Sequence, residues 1–200
     1  MKSRLPRPVT PSIVALILIG WIIVAIKLDQ SIFAPHKSLL LPQFGAATGD
    51  VLVTHEWWRL LVSQFLHVHF LHMLFNAACI GVTGNAIEKA YGWRVLIAVY
   101  LIGGLTGQIA SVWHYPHLVT DGASQALMAL CGASLVLRLN TRLKLFAGVI
   151  IVIQAALDLH AASTIKAGHG YGFAAGLLIG LGVIMATRKR ADSFRIEQTR

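Results

Sequence analysis

Ser124 and His169 are a candidate nucleophile and a candidate general base, each at the start of an apolar segment of the chain. Serine is a weak nucleophile until a neighbouring base takes its proton, and histidine is suited to do so near neutral pH. Gly122, two residues before the serine, permits a sharp turn into its segment. A serine there also has a simpler role as a helix N-cap. His169 is followed by Gly172, Gly176 and Gly180, three or four positions apart on one helical face. Small-residue stripes let two helix backbones approach closely. The segment opened by Ser124 answers with Ala126, Ala129, Gly132 and Ala133. Packing the two together would bring His169 within reach of Ser124. An ionisable group in an apolar span is functional by default, which outweighs a histidine merely bonded to lipid or water.

A third polar cluster is His67-Val68-His69-Phe70-Leu71-His72-Met73-Leu74-Phe75-Asn76. If helical, His69, His72 and Asn76 share a face. One reading is an oxyanion hole, in which His72 and Asn76 donate to the negative oxygen of a tetrahedral intermediate. The other is zinc held by His67, His69 and His72. No carboxylate or thiolate stands nearby to complete a ligand set, and the spacing is no zinc signature, so no metal or other cofactor is expected. Asp158 and His160 end an apolar segment and read as a solvated loop entrance, with an orienting contact to His169 as the alternative. His114, His117 and Asp121 read as solvated loop residues before Ser124, with an influence of Asp121 on entry to the site as the alternative. Glu88 and Lys89 read as a helix terminus and loop anchor.

These residues need elements to hold them, and composition says which. The chain has 200 residues, 56% of them hydrophobic and 12% charged, with a mean hydropathy of +0.69. That is the balance of a polytopic membrane protein. Six apolar segments follow, roughly 12–28, 71–87, 93–113, 124–139, 144–159 and 168–187, read as six spans of an all-α bundle. The net charge of +9 does not point to nucleic acid, because the basic residues sit in short loops and tails. With the N-terminus inside, 13 of the 17 Lys and Arg residues fall on the cytoplasmic side, so both termini are expected there. The expected organisation is a cytoplasmic tail over 1–11, a membrane domain over 12–187 with a long external loop over 29–70, and a basic tail over 188–200. The Trp57-Trp58-Arg59 run in that loop suits the headgroup interface. Cys79 and Cys131 fall in apolar segments and read as small core residues.

Alternation of the spans brings the starts of the second, fourth and sixth to the outer face, and with them His72 and Asn76, Ser124, and His169. Ser124 lies 14 residues before Arg138, a rise of about 21 Å. Against a hydrocarbon core of about 30 Å, the serine is expected several ångströms below the outer surface.

From about Gly45 to Arg188 the chain resembles the rhomboid intramembrane serine proteases. Trp58-Arg59 is similar to the Trp-Arg pair of their first external loop. His72-x-x-x-Asn76 is similar to their oxyanion pair, and Gly84, Glu88 and Gly92 to the end of the same span. Gly122-x-Ser124, with Gly132 eight residues on, resembles the nucleophile motif, and His169-x-x-Gly172-x-x-x-Gly176 the histidine motif. Two positions depart. Gln125 stands where the family motif has glycine, and Met128 stands where an aromatic usually stacks on the histidine. A methionine still offers the imidazole a sulfur–aromatic contact.

The resemblance implies a six-transmembrane-helix bundle that cuts transmembrane protein substrates near the outer face. Ser124 and His169 would form the catalytic dyad, with the Ser124 N–H, His72 and Asn76 at the oxyanion. The lipid bilayer is the expected surrounding, a bacterial inner membrane the expected location. The alternative that Gln125 motivates is an inactive rhomboid-like protein that binds membrane helices without cutting them.

Overall fold

The computed structural model describes residues 9–29, 31–34, 38–164 and 166–198. Most of the expected N-terminal tail, with Lys2, Arg4 and Arg7, lies outside them, as do Lys37 and Arg200. The order is α1 (Val9–Lys27), α2 (Val51–Thr54), α3 (Trp58–Val62), α4 (Phe70–Tyr91), α5 (Trp93–His114), α6 (Ser124–Val136), α7 (Thr141–Ala162) and α8 (Ala167–Gln198). Among the described residues the fold is all-α, with one isolated bridge between Ala47 and Thr120.

Five helices, α1, α4, α5, α7 and α8, are long and apolar enough to cross a membrane. The chain is an integral membrane protein. The fourth expected span is different: α6 has 13 residues, a length of about 20 Å, too short for a hydrocarbon core of about 30 Å. It ends where Leu137 turns extended. Residues Ser124 to Ser134 of α6 are all buried, whereas Leu16, Ile19, Ile22 and Ile23 of α1 face outward. In lipid that arrangement is expected. An outward Leu or Ile faces hydrocarbon, and the helix that carries polar groups is walled off by other helices.

Close packing around α6 follows from glycine. On α8, added side chains at Gly172 and Gly176 would collide with the backbone carbonyls of Gln125 and Ala129, and one at Gly180 with Val136. On α6, Gly132 stands equally close to the Phe173 carbonyl. On α5, Gly103 and Gly107 face Ala129 and Gln125 in the same way.

Two ends differ from the sequence expectation. The apolar run expected from Ser12 begins as helix at Val9, because Glu88 of α4 caps it. The Glu88 carboxylate accepts from the Val9 N–H at 3.0 Å, the Thr10 N–H at 2.9 Å and the Thr10 hydroxyl at 2.6 Å. Pro11 sits in this first turn, where it has no intrahelical bond to break. At the other end α8 does not stop at Thr187 but runs on through the basic segment to Gln198.

The described residues of the long loop between α1 and α4 are packed into the fold. Leu41, Ala46 and Leu66 form a small core with Val24. Arg59 bonds Glu56 at 2.9 Å and the Pro42 carbonyl, with its guanidinium 4.7 Å from the Trp58 ring centre. Ala47 and Thr120 exchange backbone bonds of 3.3 and 2.7 Å, which fastens this loop to the segment entering α6.

Candidate active site

Gly122 makes the entry into α6. Its φ is +97°, a left-handed conformation that costs other residues free energy. The Gly122 N–H donates to the Ser63 carbonyl at 2.9 Å, and Gln108 Nε2 donates to the Gly122 carbonyl at 3.2 Å. Held at both ends, the turn sets Ser124 as the first residue of α6, where its backbone N–H has no intrahelical acceptor.

Ser124 is buried in the wall of a cavity of about 590 Å³. The cavity collects the starts of α4, α6 and α8 and the ends of α5 and α7. Ser124 Oγ lies 2.9 Å from His169 Nε2. His169 Nδ1 lies 2.7 Å from Asp158 Oδ2. The carboxylate also accepts from the Lys166 N–H at 3.1 Å and from Gln154 Nε2 at 3.2 Å.

Asp158 therefore departs from the sequence expectation. The sequence reading favoured a solvated loop entrance, but Asp158 is 1% exposed and bonded to the histidine. The signal was Gln154 four residues earlier, a polar partner on the same face of an otherwise apolar helix. His160, in the last turn of α7, is exposed and lines the same cavity. Asp121, read as a solvated loop residue with an influence on entry to the site as the alternative, lines the cavity. Withdrawal from water pushes its carboxyl up to about 7, against a bond from the Val68 backbone and the charge of Lys166.

The expected oxyanion donors are near the serine but differently engaged. His69, expected to share a helical face with His72 and Asn76, is instead the extended residue before α4 and is exposed. His72 lines the cavity beside Ser124. Asn76 is fully buried, and its Nδ2 donates to His67 Nε2 at 3.2 Å while its Oδ1 has no hydrogen-bond partner among the described residues. The Ala123 N–H donates to the same His67 nitrogen at 3.2 Å. Two donors fix that nitrogen as unprotonated. Burial first, and then the neighbouring His72, push the His67 imidazole down to about 3. His67 thus joins the turn before Ser124 to Asn76. The reading of the sequence took it only as a possible metal ligand, because its role depends on a contact across 56 residues. Among the described residues no group of three or more His, Cys, Asp or Glu side chains is placed to hold a metal ion.

Gln125 is buried beside the serine, and its Oε1 lies 3.3 Å from Ser124 Oγ and 3.5 Å from Gln108 Nε2. Glycines make its space. An added Cβ on Gly107 would stand 2.6 Å from that of Gln125, and one on Gly168 would stand 3.2 Å from its Cγ. Met128 is buried one turn further along α6. Cys79 and Cys131 are buried free thiols, as small core residues.

The rhomboid domain model matches residues 54–186, a stretch that holds every residue of this cavity. The chain belongs to the rhomboid family. It is similar to the rhomboid protease GluP of Bacillus subtilis, with 34% identity covering 64% of this chain and 26% of that one. It is similar to the rhomboid protease AarA of Providencia stuartii, with 32% identity over 56% of this chain and 47% of that one. Rhomboid-like protease 2 of Toxoplasma gondii is 35% identical over 53% of this chain and 38% of its own length. The chain therefore spans less than half the length of each of these three relatives.

Proposed function

We propose that this rhomboid is an intramembrane serine endopeptidase acting on transmembrane protein substrates. The observation that carries the reading is the 2.9 Å approach of Ser124 Oγ to His169 Nε2, inside a cavity that is itself walled by membrane helices. Ser124 Oγ attacks the scissile carbonyl carbon as its proton passes to His169 Nε2, and the carbonyl π pair moves onto oxygen. That oxyanion is met by the Ser124 N–H, with His72 and the Asn76 amide as further donors. The tetrahedral intermediate collapses as the C–N bond breaks and His169 passes its proton to the departing amine. Water then repeats the sequence on the acyl-enzyme. Its proton goes to His169, and the C–Oγ bond breaks as Ser124 takes the proton back.

Ser124 starts α6 in a cavity formed at the starts of α4, α6 and α8 and the ends of α5 and α7, which suits cleavage near a membrane surface. With the basic segments on the cytoplasmic side that surface is the outer one, and a bacterial inner membrane suits both termini inside. The resemblance supports a scissile bond beside small residues in a helix that unwinds easily.

A second reading is an inactive helix-binding protein. The Gln125 contact favours it, because Gln125 Oε1 competes with His169 for the one Ser124 hydroxyl proton. Labelling by a fluorophosphonate probe in detergent separates the two. The protease reading expects wild type to label and Ser124→Ala and His169→Ala to remain dark. A folded wild type that stays unlabelled rules out the protease and leaves the helix binder.

A further inference from the structure

Asp158 stands in the last turns of α7, where a carboxylate surrounded by apolar helices needs a reason. Burying an unpaired carboxylate is costly, and a buried charge persists when its acceptor sites are filled by donors. Here three donors converge: the Lys166 N–H at 3.1 Å, Gln154 Nε2 at 3.2 Å and His169 Nδ1 at 2.7 Å. The first two come from the α7–α8 connection and from α7 itself, so they fix the carboxylate without any help from the histidine. The third is the shortest, and it is aimed at the ring whose other nitrogen faces Ser124.

We propose that Asp158 is a positioning residue that holds His169 in the one tautomer able to act as base, making the site an Asp158–His169–Ser124 triad and not a dyad. This rests on the protease reading above. An ionised carboxylate only accepts, so His169 must carry its proton on Nδ1 to satisfy Asp158. The Nε2 lone pair is then left facing the Ser124 hydroxyl, the arrangement in which the serine donates to the histidine. In the other tautomer Nε2–H would face Ser124, the hydroxyl would have no base, and the lone pair of Nδ1 would face a carboxylate. When His169 becomes an imidazolium in the attack step, the proton stays on the ring and Asp158 stabilises the cation in place. Asp158 also fixes the ring plane from α7 while the backbone of His169 is set by α8, so the histidine is held from two helices.

The test uses the full chain in detergent micelles, with wild type, Asp158→Asn, Asp158→Glu and Gln154→Ala. Nitrogen NMR of ring-labelled histidine, with His169→Ala to assign the signal, reads which nitrogen is protonated. The expected result is a proton on Nδ1 in wild type and its loss or exchange to Nε2 in Asp158→Asn. Fluorophosphonate labelling per folded molecule should fall about 100-fold or more in Asp158→Asn, as when a histidine loses its orienting carboxylate. Asp158→Glu should recover part of that loss, and Gln154→Ala should lose less than tenfold. On a cleavable helix substrate the loss should fall on kcat, with KM unchanged. A wild-type spectrum with the proton on Nε2 overturns the proposal, and so does Asp158→Asn labelling at the wild-type rate. If wild type does not label at all, the protease reading fails, and the nitrogen spectrum alone decides whether Asp158 sets the tautomer.

Discussion

Gly176 on α8 faces Ala129 on α6 so closely that a Cβ on the glycine would collide with the Ala129 carbonyl. The obstacle is backbone, which cannot rotate away, so a methyl group there must push the two helices apart. The same two helices carry His169 and Ser124. Gly176→Ala should therefore lower stability by about 1–3 kcal/mol. It should also slow fluorophosphonate labelling by at least tenfold, since a misplacement of about 1 Å at reacting groups costs on the order of 100-fold. Gly182 is the control, because an added Cβ there meets nothing within 4 Å among the described residues. Gly182→Ala should label normally and gain up to about 1 kcal/mol from helix propensity. Equal behaviour of the two variants would refute this account of α6–α8 packing.

Gln125→Gly should speed labelling while weakening the fold. Its Oε1 is an alternative acceptor for the Ser124 proton at 3.3 Å. A neutral hydrogen bond nets about 0.5–1.5 kcal/mol, so releasing the hydroxyl to His169 should raise the rate by about two- to tenfold. The removed side chain leaves a void between Gly107 and Gly168, costing about 1–3 kcal/mol, the lower part of the range for large-to-small changes. Unchanged labelling of the folded variant would mean that Gln125 does not compete for the proton.

What the sequence disclosed depended on range and periodicity. The glycines of α8 repeat on one face, and apolar runs of spanning length are visible without any partner, so the bundle and the Ser124–His169 pairing were legible. The shortness of α6 was not. Leu137 and Leu139 continue its apolar composition, and only the extended backbone at Leu137 ends the helix. His69 was misplaced for a related reason, since the spacing of His69, His72 and Asn76 fits a helix that in fact begins at Phe70. Asp158 was discounted because acidic residues at span ends are usually solvated. Its burial is decided by Lys166 and His169, both beyond the next turn of chain. The role of His67 was hidden because it bonds Asn76 and the backbone of Ala123, the latter 56 residues away.

Glu88 should contribute stability without affecting chemistry. It satisfies two of the orphan N–H groups at the start of α1 and the Thr10 hydroxyl, at the opposite end of α4 from His72. Glu88→Ala should cost on the order of 1–2 kcal/mol, the range for losing a helix cap. Thermal unfolding in detergent reads this directly. Labelling per folded molecule should equal wild type. A slowed labelling rate in the folded fraction would instead tie the start of α1 to the site.

His67 makes a prediction in pH. Its imidazole is neutral in the folded chain down to about 3, whereas an unfolded histidine takes up its proton near 6.5. Between those values the unfolded chain binds the extra proton, so acid favours unfolding. The His67 contribution is fully present above about 6.5 and is lost progressively as pH falls toward 3. Protonation would put a hydrogen on the nitrogen that now accepts from Ala123 and Asn76, so acid should loosen the turn before Ser124 as well. Other groups titrate in this range, so the comparison must be with His67→Ala. That variant leaves two buried donors unpaired and should be less stable at pH 7 by about 2–4 kcal/mol. Its unfolding midpoint should then fall less than that of wild type between pH 7 and pH 4.5. Parallel loss in the two proteins would show that acid acts elsewhere, and that the neutral His67 acceptor is not what the folded site protects.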